Sequence, residues 1–368
     1  LGNQKIKGNS AVKTSFKIFG ILSATLGLLV SAQAQQAGGN NSLRYKADKI
    51  TIRENGVRLD GNAEIKALPQ LEANAAAIAF DFTGSQITEV RATGNVRLKV
   101  TLTPKGGGKK TRIETTASAA TLKPQTRELT LTGDVDGFYQ PEGQSRTTLA
   151  GTKVVMNYVG EDLNGVISGP IKLSIPAETL QAGGANAAPI GAVTITSREA
   201  KIDGKLGVVR FVGDARAISA GGANTNAFDV SAAEFILTRT AANTIDSLKT
   251  AGRTRVKIDL PPQPLKPGEA PSKMGRPTKV EAEADSAIVN RATSTLTFDG
   301  NVTGFYVLAQ ADAQPQKYDF TGAKAVIRYV ANEQANAETP AGLKADITGV
   351  PGKPVEVSTP AFNFDLGN

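Results

Sequence analysis

The chain has 368 residues, 42 of them Lys or Arg against 34 Asp or Glu, with no His, Cys or Trp. Those absences exclude Ser-His-Asp and Cys-His catalysis, the usual zinc and haem ligand sets and any disulfide framework, so no metal and no cofactor is expected. A formal charge of +8 permits anionic partners but is too small to demand nucleic acid, and 38 Gly with 18 Pro beside few aromatics suit strands joined by turns.

Residues 1–34 have the layout of a secretory signal peptide. Lys5, Lys7, Lys13 and Lys17 form a basic start, Ile18 to Val30 an apolar core, and Ala32-Gln33-Ala34 a small-x-small cleavage site. The apolar core is short for a membrane-spanning helix; an uncleaved N-terminal anchor is the other reading. No Cys follows it to accept a lipid. Residues 35–42 are a flexible lead-in.

From residue 43 onward the pattern has period two. Ile78, Phe80 and Phe82 alternate with small or polar residues, Val96, Leu98, Val100 and Leu102 alternate with Arg97, Lys99 and Thr101, and Leu129 and Leu131 continue the theme. Such alternation marks strands with one buried and one wet face. A Gly followed by Asn or Asp recurs at Gly61, Gly94, Gly133, Gly213 and Gly300, with weaker versions at Gly169 and Gly252. These pairs are expected to supply positive φ at tight turns between strands. No helical periodicity is evident after the first 34 residues.

The chain also repeats itself. Gly61-Asn62-Ala63 matches Gly213-Asp214-Ala215, and Val90 to Leu102 matches Leu248 to Leu260. Leu129 to Tyr139 matches Leu296 to Tyr306, and Gly151 to Val159 matches Gly322 to Val330. Four matches in order indicate a tandem duplication, with halves at 43–178 and 193–360. A linker at 179–192 joins them, a Pro-rich insert occupies 261–277, and 361–368 form a tail. The expected fold is all-β and quasi-one-dimensional. The short linker predicts one continuous array instead of two hinged domains.

The apolar side of the alternation supplies the candidate binding residues. In the first half they are Ile78, Phe80, Val96, Leu98, Val100, Leu129, Leu131 and Met156. In the second they are Phe235, Leu237, Val256, Ile258, Leu296, Phe298 and Ile327. They line a groove between two incompletely closed strand layers, or they fill a dry core. Phe138-Tyr139 and Phe305-Tyr306, and likewise Tyr158 and Tyr329, line a groove mouth or pack at turns. Lys105 to Thr111 resembles a phosphate cradle but lacks the spacing and the following helix, so a basic hairpin tip is the reading adopted. Arg97/Lys99 and Arg255/Lys257 are expected on solvated faces. Asp134 and Asp136 form the best carboxylate pair for a glycosidase, yet the second copy has Asn301 and Thr303 there.

The unit of apolar alternation, Leu-x-Leu-x-Gly-Asn/Asp-Val and an Ala-Asp/Ser-Ala step resembles the OstA/LptA-like family of periplasmic lipopolysaccharide-transport proteins. Its best instances run from Ala117-Ser118-Ala119 to Tyr139 and from Ala282 to Tyr306, with another from Ala47-Asp48 to Gly61-Asn62-Ala63. The resemblance covers most of 43–330. It implies an open, twisted β-jellyroll, a folded-over antiparallel strand array whose apolar inside holds the acyl chains of lipid A. It further implies end-to-end strand pairing with other copies or with inner- and outer-membrane transport components. The chain is about twice the length of the family's single-domain bridge and carries inserts that family lacks. The expectation is therefore a non-enzymatic periplasmic carrier of lipopolysaccharide or a related lipid, free or associated with either membrane. A structural or adhesive β-solenoid without cargo is the alternative, and a polysaccharide-acting β-helix enzyme a third.

Overall fold

The computed structural model describes residues 43–67, 71–102, 110–159, 162–181, 191–222, 225–239, 245–260, 276–290, 293, 295–310, 313–330, 342–349 and 355–358. Residues 1–42, the basic loop around Lys105 to Lys109, most of the Pro-rich insert and the tail lie outside the described residues.

Strands β1 (Leu43–Lys46) and β2 (Lys49–Arg53) both pair with β3 (Gly56–Ala67). An antiparallel meander follows through β4 (Leu71–Thr83), β5 (Gln86–Leu102), β6 (Thr111–Lys123), β7 (Glu128–Pro141), β8 (Thr147–Val159) and β9 (Asp162–Ile175). A short helix, α1 (Ala177–Gln181), leads to β10 (Val193–Asp203), β11 (Val208–Ser219) and β12 (Ala227–Arg239). The rest comprises β13 (Ile245–Ala251), β14 (Thr254–Asp259), β15 (Arg276–Ala284), β16 (Ser286–Asn290), β17 (Thr295–Gln310), β18 (Ala313–Val330), β19 (Gly342–Thr348) and β20 (Glu356–Ser358). Strands β9 and β10, on either side of the joining segment, pair along most of their length, so the sheet runs unbroken from one half to the other.

Four pairs of short strands, β1/β2, β13/β14, β15/β16 and β19/β20, each share their neighbours. The twenty described strands therefore make sixteen rungs. Each sequence match falls eight rungs apart: Gly61 on rung 2 and Gly213 on rung 10, Gly94 and Gly252 on 4 and 12, Gly133 and Gly300 on 6 and 14, Gly151 and Gly322 on 7 and 15. The matched segments thus recur at a spacing of eight rungs.

The glycine motifs are not hairpin turns between strands, as their sequence suggested. All but Gly252, which lies between β13 and β14, sit in mid-strand, where the registers of flanking ladders slip, for example between Asp60 and Ala63, Thr93 and Val96, and Thr132 and Val135. Gly61, Gly94, Gly133, Gly169, Gly213, Gly252 and Gly300 all have positive φ, and Asn62, Asn95, Asp134, Asp214 and Asn301 follow in the same left-handed region. Two such residues in succession bend the strand sharply. The opposing rung presses a small or polar residue into each bend. A Cβ on Gly133 would lie 2.5 Å from Ser118 Oγ, and one on Gly300 would lie 2.4 Å from Asp285 Oδ2. Asp48 and Asp285 secure their corners twice over: their amides donate to the Gly61 and Gly300 carbonyls at 2.9 and 2.8 Å, and their carboxylates accept from the Asn62 and Asn301 amides.

The corners also shift the phase of the alternation. On glycine rungs the buried series passes from Leu131 to Val135, a step of four; on opposing rungs it passes from Ala117 to Ala120, a step of three. Stacked corners thus fold the sheet along one line into two layers whose apolar faces meet. Layer I contains Leu129, Leu131 and Ile78; layer II contains Val135, Leu98 and Ile113. Tyr45 of layer II meets Phe80 of layer I edge-on, with ring centroids 5.8 Å apart. One hydrophobic cluster runs through both halves.

The outer faces carry cross-strand ion pairs. Arg97 and Arg112 both engage Glu114, Lys99 reaches Glu72 at 3.1 Å, and eight rungs on Arg253 and Arg255 both engage Glu283 while Lys257 faces Glu281 at 3.7 Å. Burial by itself would raise the Glu114 carboxyl, but its two arginines hold it below the ordinary carboxylate range. The basic pairs expected to be merely solvated are therefore partnered with acids on the next strand.

Candidate functional site: the interior between the layers

All fifteen candidate residues come together in this interior. Ile78, Phe80, Leu129, Leu131, Met156, Phe235, Leu237, Leu296, Phe298 and Ile327 belong to layer I; Val96, Leu98, Val100, Val256 and Ile258 belong to layer II. Thirteen are buried, and Leu296 and Ile258 are partly buried against the same cluster. Several neighbours of equal standing were not singled out from sequence, among them Ile113, Leu149, Ile195 and Phe211. Ile171, Leu173 and Ile175 alternate with Lys172 and Ser174 and had the same signal as the chosen residues.

Within each layer the inward residues form cross-strand rows parallel to the fold line. A row of layer I toward the margin away from the corners, called its lip here, includes Val57, Phe80, Val90, Leu122, Leu129 and Met156 in successive register, with Phe82 and Ile87, and the Tyr158 and Leu163 positions, one step farther out. It is apolar throughout. Its counterpart on layer II runs through Leu71, Val100, Ile113, Tyr139 and Thr147, and later through Ser219, Phe228, Ile258, Val280, Tyr306 and Tyr318. Among the described residues no ladder joins lip to lip; every strand pairing lies within a layer. The helix α1 sits at the layer II lip, where Glu178 accepts from the Ser145 amide at 2.9 Å and Leu180 packs on the core.

The two ends differ from the middle. Among the described residues the first rung pairs only with β3. There Ile52 is 78% exposed, Ile50 51% and Tyr45 48%, although all three point along the interior face. They are core positions that no described rung covers. At the opposite end, among the described residues, β19 and β20 pair only with β18.

The aromatic pairs are not at turns. Gly137 and Gly304 lie within β7 and β17, and each pair splits across the sheet. Tyr139 and Tyr306 face inward, Tyr306 stacking on Tyr318 at 5.0 Å. Phe138 and Phe305 face outward, each between two cations: Arg112 and Arg146 for the first, Lys279 and Lys317 for the second. The side chains of Tyr158 and Tyr329 lie outside the described residues. Asp134 occupies a corner and Asp136 the outer face, both exposed on either side of buried Val135. They frame no cleft. Among the described residues no three acidic side chains gather to hold a metal, and no helix is long and apolar enough to cross a membrane.

No protein-family model matches the chain, and no curated protein matches it. Among solved structures it is similar to LptH of Pseudomonas aeruginosa, described as the LptA-homologous periplasmic component of the lipopolysaccharide transport device. The likeness covers 34% of this chain and 81% of that one at 12% identity, with a TM-score of 0.26. A likeness so slight assigns neither cargo nor partner to this chain.

Proposed function

We propose that the protein is a non-enzymatic lipid carrier that takes the acyl chains of lipopolysaccharide, or of a related multi-acyl lipid, between its two layers. The observation behind this reading is the manner in which the layers are joined. Among the described residues their backbones connect only along the corner line, so parting the lips breaks none of the described ladder hydrogen bonds. Parting forfeits apolar contact, worth about 25 cal/mol per Å², which inserted alkyl chains restore at about 0.8 kcal/mol per CH₂. Among the described residues the interior is mostly apolar, which suits alkyl chains.

The exposed Ile50, Ile52 and Tyr45 of the first rung, beside a strand edge unpaired among the described residues, suit docking of another β-array. A second copy or a membrane-anchored transport component would extend the interior by one more rung. The working site we propose is the periplasm, between inner and outer membranes, a reading that the signal-peptide pattern at 1–34 supports.

A specific observation favours a second reading. The interior is filled along most rungs, as a structural β-solenoid without cargo would be. Photo-crosslinking separates the two. Probes at Leu98, Leu131 and Phe298, with outward controls at Arg97 and Lys99, are expected to label lipopolysaccharide from the inward set alone. A folded protein that labels from no position would overturn the carrier reading and leave the structural solenoid.

A further inference from the structure

The two lips differ in chemistry. The layer I lip holds no hydroxyl at the positions named above, whereas layer II has Tyr139, Thr147, Ser219, Tyr306 and Tyr318 in one cross-strand row, with Thr115 one row deeper. They cluster. Thr115, Tyr139 and Thr147 occupy rungs 5–7. Ser219 lies on rung 10, and Asn226, buried, immediately precedes β12. Tyr306 and Tyr318 occupy rungs 14 and 15, the duplicate positions of Tyr139 and Thr147.

Two of these groups have no partner among the described residues. Thr115 and Ser219 are each 2% exposed, and neither hydroxyl oxygen makes a hydrogen bond there. A buried hydroxyl without a partner is unfavourable, and native interiors seldom retain one without a use. Thr115 faces Leu98 and Gly137 across the ladder, neither of which offers a side-chain acceptor. Ser219 stands between Val193 and Phe228 in the same situation.

We propose that these hydroxyls are stations for the ester carbonyls at which acyl chains join the head of the cargo. Thr115 and Ser219 donate to the carbonyl oxygens at the layer II lip, while the alkyl chains lie deeper against the apolar rows of both layers. The inference rests on the carrier reading and adds an orientation to it: the head lies toward layer II. Thr115 and Ser219 are five rungs apart, about 24 Å at the usual strand spacing, and so serve successive positions along the array. An ether linkage lacks the carbonyl acceptor, and the hydroxyl would then go unpaired.

The test compares two monomeric probes of equal chain length, dioctanoyl (ester) and dioctyl (ether) phosphatidic acid, each with a head-group fluorophore, binding to the full chain. The unmodified protein should prefer the ester probe by about fivefold, the range of one or two neutral hydrogen bonds. Thr115→Val combined with Ser219→Ala should bring that ratio close to one through weaker ester binding alone. Its melting temperature without lipid should equal or exceed the parent's, because the substitutions remove groups that had no partner. An ester preference that survives in the double variant, or no preference in the parent, overturns the assignment while leaving the carrier reading intact. Binding of neither probe by the parent overturns both.

Discussion

Replacing Gly133 by Ala should lower folding stability by about 3 kcal/mol, whereas Gly84→Ala should cost only about 1 kcal/mol. Both glycines have positive φ, +75° and +59°, so an L-side chain brings the left-handed penalty at either site. They differ in what the new methyl group meets. At Gly84, in the hairpin between β4 and β5, nothing lies within 4 Å; at Gly133 the Ser118 Oγ and Cβ stand at 2.5 and 2.7 Å. Relief requires Ser118 to move, and its hydroxyl donates to the Gly133 carbonyl at 3.2 Å. The difference between the two variants, read by chemical denaturation, isolates the close approach of strands at the fold line. Equal losses would mean that the corner is not a packed contact.

Phe298→Ala should cost about 4 kcal/mol, while Thr297→Ala on the outer face should stay within about 0.5 kcal/mol. Phe298 is fully enclosed in layer I and corresponds to Leu131 eight rungs earlier. Its ring fills space between the layers, and the flanking strands are held by ladders that cannot collapse far into a void. Thr297 is its immediate neighbour with the opposite orientation. A pair of variants one residue apart therefore tests which face is inside. Comparable losses at both positions would contradict the two-layer arrangement.

The period-two alternation made the strands legible, and the ordered matches correspond to segments eight rungs apart. The fold line was visible only as a misleading sign. Gly-Asn and Gly-Asp pairs commonly close hairpins because they tolerate positive φ, and the same tolerance lets them bend a strand that continues. What distinguishes the two cases is the apolar phase: Leu131 to Val135 keeps the alternation going through the glycine, with no polar interval to mark a loop. The opposing corners, such as Ala75-Ala76 and Ala117-Ser118, have no conformational signature of their own. They are small because a bend presses on them from the next rung. The hydroxyl row of layer II was hidden for a related reason. Tyr139, Thr147 and Ser219 lie on different rungs, and only the register sets them side by side. The outward turn of Phe138 beside inward Tyr139 follows from alternation once Gly137 is placed within a strand instead of a turn.

The central claim is that the layers part about the corner line, with their ladders intact, to admit acyl chains. Its most direct test uses spin labels at Glu128 and Gln140, the two ends of β7 on either side of the Gly133 corner. Addition of lipopolysaccharide should lengthen the distance between the labels while backbone amides of β6, β7 and β8 keep their protection from hydrogen exchange. A distance that stays fixed with lipid bound, or a lengthening accompanied by loss of that protection, would contradict the account.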